Sequence, residues 1–465
     1  MRLRPRGSIL LVSCYELGHQ PLGVALPLGF LEAAGFEPDV LDIAVEKFDA
    51  DRAERARFIG ISVPMHTALR LGVRVIERTR AVNPSCHICC YGLYATLNSG
   101  YLLEHGADSC IGGEFEAPLL RLVESLDAGT TSDNGSDLRG VIRRHEPAEP
   151  YLEKLSFAVP SRGALPELGE YARLEYRGER RVAGYVEASR GCLHLCTHCP
   201  IPPVYGGRFF VVPREVVLED IRRQVRAGAT HITFGDPDFL NGPKHSLRVV
   251  REMHEEFPSL TFDFTAKVEH LLDRGQDLPE LGEAGCLFII SAVESLSDRV
   301  LEILDKQHTR SDVEAALDVV RSAGIALRPT WVAFTPWTTL DDYREMLDFV
   351  EANGLIDHVD PVQFAIRLLI PPGSWLAEHK ATLPYRGPLD EAALTYRWTH
   401  PDPRMDELYR QVSKLVEEDT REEEDPWATF YRVAALARGS SPASAIYSIP
   451  MNRKPVPRMT ESWFC

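Results

Sequence analysis

Three closely spaced cysteines constrain this 465-residue chain more than any other feature of its sequence. Cys192, Cys196 and Cys199 form a Cys-x3-Cys-x2-Cys array directly after the strand-like run Val182 to Val186. Three thiolates at this spacing can hold one soft metal centre. A [4Fe-4S] cluster normally takes four cysteines, so a compact set of three with no fourth nearby implies that one iron is left open for another ligand.

A structural zinc site is the alternative interpretation of the same segment. Such a site takes four ligands, and His194 or His198 could serve as the fourth. The spacing alone leaves this alternative open, together with a chance cluster of cysteines.

Composition and charge narrow the class of protein. The chain is 44% hydrophobic, which provides for two cores and a smaller third one. Its 51 Lys and Arg residues stand against 68 Asp and Glu residues, and the formal charge of -17 argues against sequence-independent binding of nucleic acid. The ten cysteines are best interpreted as reduced thiols of a cytoplasmic protein. No segment reaches the roughly 20 apolar residues of a membrane span, so we expect a small-molecule or peptide substrate and no membrane or nucleic acid partner.

Strand and helix signals alternate along two long stretches of the chain. This alternation predicts parallel sheets that are covered by helices on both faces. A polar, Gly/Ser-rich segment over 127–136 marks a loop near the first boundary, and the charged segment from Asp402 to Glu424 is expected to be helical. The expected division is a first α/β domain over 1–130, a linker over 131–180, a second α/β domain over 181–375, and a helical carboxyl-terminal domain and tail over 376–465.

The cysteine array and the second stretch resemble the radical S-adenosylmethionine (radical SAM) enzymes. In that family the open iron chelates the amino and carboxylate groups of SAM, and an electron from the cluster cleaves the sulfonium to give a 5'-deoxyadenosyl radical. The resemblance implies a partial (β/α)6 TIM-type barrel, in which the sixth strand is expected over Val362 to Leu369.

The same resemblance implies a set of SAM-binding residues. His198 stands where the family usually has an aromatic residue against the adenine, and Gly235 to Phe239 stands where the family has a Gly-Gly-Glu-like segment facing the SAM amino group. Lys267 could neutralise the SAM carboxylate, and a solvated lysine is the alternative. The implied set is His198, Gly235, Asp236, Asp238, Lys267, Glu294 and Ser295.

The first stretch resembles the flavodoxin-like cobalamin-binding domain that precedes many radical SAM domains. The resemblance lies in loops at the carboxyl ends of strands, where ligands of such sheets bind and where small residues let a corrin approach the backbone. The implied cobalamin-binding residues are Gly18, His19, Gly23, Ser62, Met65, Gly92, Gly112, Gly113 and Glu114. The Asp-x-His-x-x-Gly motif that supplies an axial histidine elsewhere is absent, so we expect cobalamin to be held without one. A domain of this fold that binds nothing is the alternative.

The last residues read Ser462-Trp463-Phe464-Cys465. They resemble the end of a radical SAM family named for a Cys-Sec-Ala-Glu-Pro or Cys-Cys-Ala-Glu-Pro carboxyl terminus. The resemblance implies that the sequence stops one residue before a selenocysteine and that Cys465 belongs to a catalytic redox pair. The alternative is an ordinary terminal cysteine.

Together these resemblances imply an enzyme that uses a [4Fe-4S] cluster, SAM and cobalamin to methylate an unactivated carbon, with an electron donor such as flavodoxin or ferredoxin. A radical rearrangement, or a thiol- or selenol-linked redox reaction without methyl transfer, is one alternative. A non-catalytic protein that senses cobalamin or redox state is the other.

Overall fold

The computed structural model describes residues 2–129, 138–445, 447–450, 453 and 456–461. Within them the chain forms two α/β units, a helical region and a short returning strand. The tail segment Ser462 to Cys465, with its predicted redox pair, lies outside the described residues.

The first unit is a doubly wound sheet. Five strands are parallel and a sixth is antiparallel, in the order β2-β1-β3-β4-β5-β6. Helices cover both faces, which explains why the strands are continuous apolar runs rather than alternating patterns. Its strands are β1 (Ile9–Ser13), β2 (Asp39–Asp42), β3 (Phe58–Ser62), β4 (His87–Tyr91), β5 (Ser109–Ile111) and β6 (Val141–Ile142). Its helices are α1 (Leu22–Ala33), α2 (Ala50–Arg55), α3 (His66–Val82), α4 (Leu93–Leu97), α5 (Ser99–Glu104) and α6 (Glu116–Ala128).

The second unit is a partial barrel built on a seven-stranded sheet in the order β14-β13-β12-β11-β8-β7-β17. The strands β8 and β11 to β14 are parallel. The remaining strands are β7 (Arg173–Tyr176), β8 (Glu179–Val186), β9 (Ser189–Gly191), β10 (Phe209–Val211), β11 (His231–Phe234), β12 (Thr261–Thr265), β13 (Cys286–Glu294), β14 (Ala326–Trp331), β15 (Arg386–Asp390), β16 (Thr395–Trp398) and β17 (Arg458–Met459).

Helices follow the barrel strands and continue into the carboxyl-terminal region. They are α7 (Ile201–Tyr205), α8 (Arg214–Arg226), α9 (Pro243–Glu256), α10 (Val268–Asp273), α11 (Leu278–Glu283), α12 (Asp298–Ile303), α13 (Arg310–Ser322), α14 (Leu340–Ala352), α15 (Pro403–Arg421) and α16 (Pro426–Ala437). Short 3-10 helices span Leu168–Glu170, Phe239–Asn241, Gly275–Asp277, Ile356–His358, Pro361–Ala365, Trp375–Glu378 and Pro442–Ser444.

The structure confirms the fold class that the sequence predicts, with one difference in the barrel. The expected sixth strand over Val362 to Leu369 begins instead as the 3-10 helix Pro361–Ala365 and makes a single parallel bridge between Arg367 and Phe334. The side-chain oxygen of Gln363 accepts the backbone N–H of Trp331 at 2.9 Å. That bond satisfies a donor at the open edge of β14 that a sixth strand would otherwise pair.

The carboxyl-terminal helices pack on the barrel. One hydrophobic cluster joins barrel residues such as Phe364 with Val412 of α15 and Phe430 of α16. The helical region is therefore part of the barrel's core and covers its side beside the irregular sixth position. Among the described residues, no helix is both long and apolar enough to cross a membrane.

Candidate functional site

The cysteine array lies in a loop that leaves the carboxyl end of the first barrel strand, β8. The antiparallel pair β9 and β10 brackets this loop, with Gly191 opposite Phe209. Asp236, which follows β11, accepts the backbone N–H of Ala188 at 2.9 Å and the hydroxyl of Ser189 at 2.5 Å. The base of the loop is thereby fixed to the neighbouring strand.

The three cysteines form one group, in which Cys192 and Cys196 are buried and Cys199 is half-buried. Cys192 and Cys196 are 8% and 7% exposed. Burial raises the pKa of Cys192 to about 11. Burial and then the charge of Cys196 also raise the pKa of Cys199. Three thiolates are costly at such a place unless a cationic centre compensates them, so this donor set fits a metal cluster.

The structure also bears on the fourth ligand. Five of the other six described cysteines lie in or beside strands of the first sheet. The sixth, Cys286, begins β13, at the end of the barrel strands opposite the cysteine loop. His198 and His194, the zinc alternatives, each approach a carboxylate: His198 Nε2 is 3.4 Å from Glu294, and His194 Nε2 is 3.6 Å from Asp238. The set of three cysteines fits a [4Fe-4S] cluster with one open iron.

A buried charge pair stands beside the array. Glu294, the last residue of β13, accepts from Lys306 Nζ at 3.4 Å, and the two side chains are 11% and 3% exposed. Burial opposes ionisation of Glu294, but Lys306 and His198 outweigh it and lower its pKa to about 2. Glu294 has φ +67, a strained conformation for a non-glycine residue, at a point where the β13–β14 register shifts. Such strain concentrates at functional sites because the surrounding structure must enforce it.

Lys306 is a site residue that the sequence interpretation did not assign, although it lies within the stretch Leu301 to Thr309. It is 2% exposed, and Asp305 and Gln307 on either side have φ +53 and +59. These two left-handed residues make the turn in which Lys306 lies. Its pKa is raised despite burial, first by Glu294 and then by Cys196 and Cys199. In the sequence Lys306 is one lysine in the turn between two helical segments. Such a residue cannot be assigned to the site without the fold.

The other predicted SAM residues are brought to the same mouth of the barrel. Gly235 packs against the phenol of Tyr185, which occupies the space that a side chain at position 235 would need. Asp238 is fully buried, and Lys267 is 6% exposed. Ser295 accepts the backbone N–H of Ser297 at 3.1 Å. Asp236 has its carboxylate turned to Ala188 and Ser189, and burial raises its pKa to about 7.

The predicted cobalamin residues lie at the carboxyl edge of the first sheet, but several of the glycines serve internal packing. A side chain at Gly112 would collide with Thr96, and one at Gly113, where φ is +75, would collide with the backbone of Tyr151. Gly23 is similarly crowded by Ser62. These glycines let segments of the chain approach each other closely. Met65, at the start of α3, is half-buried.

His19 is turned toward the barrel. Its ring stacks on Tyr185 with centroids 4.4 Å apart, and it is 9% exposed. Burial lowers the pKa of His19 to about 4. The next residue, Gln20, accepts from Arg162, which also pairs with buried Asp220 at 2.8 Å. The loop after β1 is therefore clamped onto the barrel.

Two buried hydroxyls near the strand ends test whether this edge fits a ligand. Tyr91, at the end of β4, and Thr96, in α4, have hydroxyl oxygens with no hydrogen-bond partner among the described residues. A ligand with many amide groups, such as a corrin, can supply a partner for the Tyr91 hydroxyl, whereas the Thr96 hydroxyl is directed at Gly112. Together with the parallel strand ends, this observation fits a cobalamin-type ligand.

A buried ionic network joins the two units. Arg190, two residues before the first cysteine of the array, bonds Glu116 at 2.5 Å and Glu114 at 3.4 Å, and both carboxylates have fully buried side chains. Tyr205 donates to Glu114 at 3.1 Å. Burial raises the pKa of Glu114 to about 7. Glu114, predicted as a cobalamin residue, thus connects the β5 loop of the first sheet to the segment that carries the cysteines.

Two family models match separate stretches of the chain. Residues 186–350 match the model of the radical SAM superfamily, and residues 9–123 match that of the B12 binding domain. Over 396 residues the chain is 23% identical to an uncharacterized methyltransferase of Pyrococcus horikoshii, with 81% of this chain and 79% of that protein covered.

Two solved structures share the architecture. OxsB, a cobalamin-dependent S-adenosylmethionine radical enzyme with aqua-cobalamin bound, superposes with a TM-score of 0.69 at 16% identity, covering 91% of this chain and 72% of that one. TsrM, a radical S-adenosylmethionine methyltransferase from Kitasatospora setae, superposes with a TM-score of 0.61 at 18% identity, covering 75% and 73%. At these identities the structures establish a shared fold.

Proposed function

We propose that this chain, a radical SAM enzyme with an amino-terminal B12-binding domain, transfers a methyl group from cobalamin to an unactivated carbon of a small-molecule or peptide substrate. The observation that carries the proposal is the buried contact of Glu114 and Glu116 with Arg190. It holds the carboxyl edge of the first sheet against the cysteine loop, and we propose that both cofactor sites open on one chamber there. The methyltransferase descriptions of the Pyrococcus horikoshii relative and of TsrM support the same reaction.

The cluster and SAM, when bound, supply a carbon-centred radical, and cobalamin supplies the methyl group. Cys192, Cys196 and Cys199 would hold the cluster. Glu294 offers a carboxylate for hydroxyl or amino groups of SAM, and Lys306 keeps that carboxylate ionised at neutral pH. The remaining contribution of the protein is to orient the reactants and to exclude water and stray hydrogen donors.

We propose that cobalamin is held without a histidine on its lower face. Two histidines, His19 and His66, lie in or beside the predicted loops. The ring of His19 is stacked on Tyr185, and Nε2 of His66 lies 2.8 Å from the carbonyl oxygen of Ala393. The loop residues Gly18, Met65 and Gly92 would line the ligand, as the family resemblance implies.

A low-potential protein such as flavodoxin or ferredoxin is proposed as the electron donor, because reduction of a [4Fe-4S] cluster needs an external electron.

A cytoplasmic location is also proposed. The nine described cysteines are unpaired thiols, and this reduced state is the one expected in a cytoplasmic protein.

A role for Cys465 as a redox group is proposed on the tail resemblance. The last described residue is Glu461. Its side chain accepts a hydrogen bond from the hydroxyl of Tyr15 and fills the space that a side chain at Gly18 would need. Tyr15 and Gly18 both lie in the loop after β1. The chain therefore enters its final segment next to the proposed chamber. The codon after Cys465 decides the selenocysteine premise: UGA supports it, and UAA or UAG removes it.

Isotope labelling tests the proposed methyl transfer. Cluster-loaded, cobalamin-loaded protein is incubated anaerobically with a reductant, SAM carrying a trideuterated methyl group, and an extract of small molecules and peptides. We expect 5'-deoxyadenosine, S-adenosylhomocysteine and a product that is heavier by the labelled methyl group. Formation of 5'-deoxyadenosine without S-adenosylhomocysteine would contradict methyl transfer and favour a rearrangement. The absence of both from wild-type protein and the Cys199→Ala variant alike would favour a sensor.

A further inference from the structure

Five ionisable side chains meet at the mouth of the barrel, beside the cysteine array. They come from the cysteine loop, the loop after β11 and the start of α10: His194, Asp238, Lys267, Glu269 and His270. The side chain of Asp238 is fully buried, whereas those of His194 and His270 keep 12% and 15% of their exposure. The group is thus anchored inside the protein and open on one side.

Three of these side chains present their donor atoms to one point. Oδ2 of Asp238 lies 2.9 Å from Nδ1 of His270 and 3.6 Å from Nε2 of His194, and all three atoms lie within 4.8 Å of one another. Around a divalent metal with bonds of about 2.1 Å, adjacent donor atoms stand about 3.0 to 3.4 Å apart. The edge between Asp238 and His270 is already close to that spacing, the edge between Asp238 and His194 is slightly longer, and the two imidazoles must approach each other to complete the set.

The carboxylate is held from behind as metal ligands are. Oδ1 of Asp238 accepts the backbone N–H of Leu240 at 2.9 Å, and Oδ2 accepts the backbone N–H of Lys267 at 3.1 Å. Such bonds fix the direction of a ligating oxygen and raise the affinity of a metal site. Nε2 of His194 is buried and has no hydrogen-bond partner among the described residues, since 3.6 Å is too long for one.

Lys267 does not prevent a cation from binding. Its Nζ lies 3.1 Å from Nδ1 of His194, on the far side of the ring from Nε2, and 3.5 Å from Oε2 of Glu269. If a metal takes the lone pair at Nε2, the ring proton moves to Nδ1 and the ammonium turns to Glu269. The exchange needs no net loss of a proton, because each histidine only changes its tautomer.

We propose that His194, Asp238 and His270 bind a divalent transition-metal ion, separate from the iron-sulfur cluster, so that Asp238 serves this ion rather than SAM. Two imidazoles and one carboxylate suit Zn²⁺, Fe²⁺, Co²⁺ or Mn²⁺, whereas Mg²⁺ and Ca²⁺ prefer oxygen ligands alone. Three protein ligands leave coordination positions on the exposed side, where an oxygen or nitrogen atom of the substrate can bind. The site would anchor a chelating substrate, such as a hydroxy acid or an amino acid, at the mouth of the barrel.

Metal content of the cluster-loaded protein tests the proposal. Protein with its full iron and sulfide content is dialysed anaerobically against micromolar Zn²⁺, and zinc and iron are counted together. We expect one retained zinc per chain in the wild type. In His270→Ala and in His270→Gln we expect a loss of affinity at least as large as the roughly 10- to 100-fold that removal of an outer-shell partner costs. Zn K-edge absorption should show two imidazole ligands and no sulfur ligand.

His105→Ala, at an exposed residue directly after α5, is the matched control and should retain zinc as the wild type does. Unchanged iron content and circular dichroism show that the His270 variants are folded. Absence of retained zinc in the wild type, equal retention in His270→Ala, or a sulfur-rich zinc spectrum with loss of iron would each overturn the proposal. None of these readouts depends on methyl transfer, so the metal site can be confirmed or rejected whether or not the proposed function is correct.

Discussion

Glu294 is the residue at which backbone strain, burial and charge meet. A left-handed conformation costs a non-glycine residue about 1 to 3 kcal/mol and persists only where its surroundings enforce it. Here its carboxylate is enclosed with Lys306 and His198 beside the cysteines, and its backbone carbonyl accepts the N–H of Val332 at 2.9 Å. The strain therefore serves to aim one carboxylate into the mouth of the barrel.

Glu294→Gln should be strongly destabilising. It leaves Lys306 as a buried cation without its partner, which costs about 3 to 5 kcal/mol for pairs of this kind. Because the pKa of Glu294 is lowered from 4.5 to about 2, its stabilising effect is present above pH 4.5 and is lost as the pH falls toward 2. Unfolding measured across that range should accordingly be less acid-sensitive in the variant.

The control is Glu345→Gln, which breaks the exposed pair of Glu345 with Arg310. Such pairs contribute about 0 to 1 kcal/mol, so this variant should unfold nearly as the wild type does. Equal stabilities for the two variants would show that the buried pair is unimportant.

Residues that share a local pattern could be predicted from the sequence, and those joined only by the fold could not. Cys192, Cys196 and Cys199 were identifiable because all three ligands lie on one loop. Lys306 was not, because helix α12 separates it from its partner Glu294 in the sequence and only the turn after that helix brings them together. Arg190 was not, because its partner Glu116 belongs to the first sheet's unit. His270 was not identified either, because its partner Asp238 follows a different strand of the barrel.

At the scale of elements, the returning strand β17 completes the edge of the barrel sheet. Arg458 pairs with Glu175 and Met459 with Leu174 of β7, and Met459 packs with an apolar group that includes Phe288 and Ile290. The strand covers an edge that would otherwise expose unpaired backbone groups. The sequence did not predict it, because two residues carry no periodicity and the pairing spans almost 300 positions.

Met459→Asp should loosen this edge, since it places a carboxylate in an apolar cluster where ionisation is unfavourable. We expect a lower thermal midpoint and faster amide exchange over Arg173 to Tyr176. Met459→Leu conserves volume and should cost less than about 1.5 kcal/mol. Unchanged exchange in the Asp variant would mean that β17 does not hold the edge.

The parallel strands were predictable as elements because buried runs between turns are a strong signal. The sixth barrel position was not, since Val362 to Leu369 is as apolar as a strand but starts after Pro361. The side chain of Gln363 accepts the backbone N–H of Trp331 that a sixth strand would have paired. No sequence pattern indicates that a side chain will take the place of a backbone partner in this way.

At the scale of the whole molecule, the two units are joined through carboxyl groups that share one guanidinium. Arg190 faces Glu114, Glu116 and Glu187, and the two first-sheet carboxylates have fully buried side chains. A buried group of this kind is weak evidence for stability but is costly to break. It ties the position of the first sheet to the segment that carries the three cysteines.

Arg190→Met should therefore uncouple the units, leaving buried carboxylates uncompensated at a cost of about 3 to 5 kcal/mol. Thermal unfolding should start earlier, and proteolysis should separate the first sheet from the barrel. Adding Glu116→Gln to Arg190→Met removes one of the unpaired charges and should recover part of the loss. A single variant that unfolds and digests like the wild type would contradict the coupling.

The central claim is that three cysteines hold a four-iron cluster whose remaining iron is open to SAM. Mössbauer spectroscopy of ⁵⁷Fe-loaded protein, recorded with and without SAM, tests it most directly. We predict one [4Fe-4S] cluster per chain in which SAM changes the signal of a single iron, and loss of that cluster in the Cys199→Ala variant. A colourless protein with one zinc, or a cluster whose four irons are unaffected by SAM, would contradict the claim.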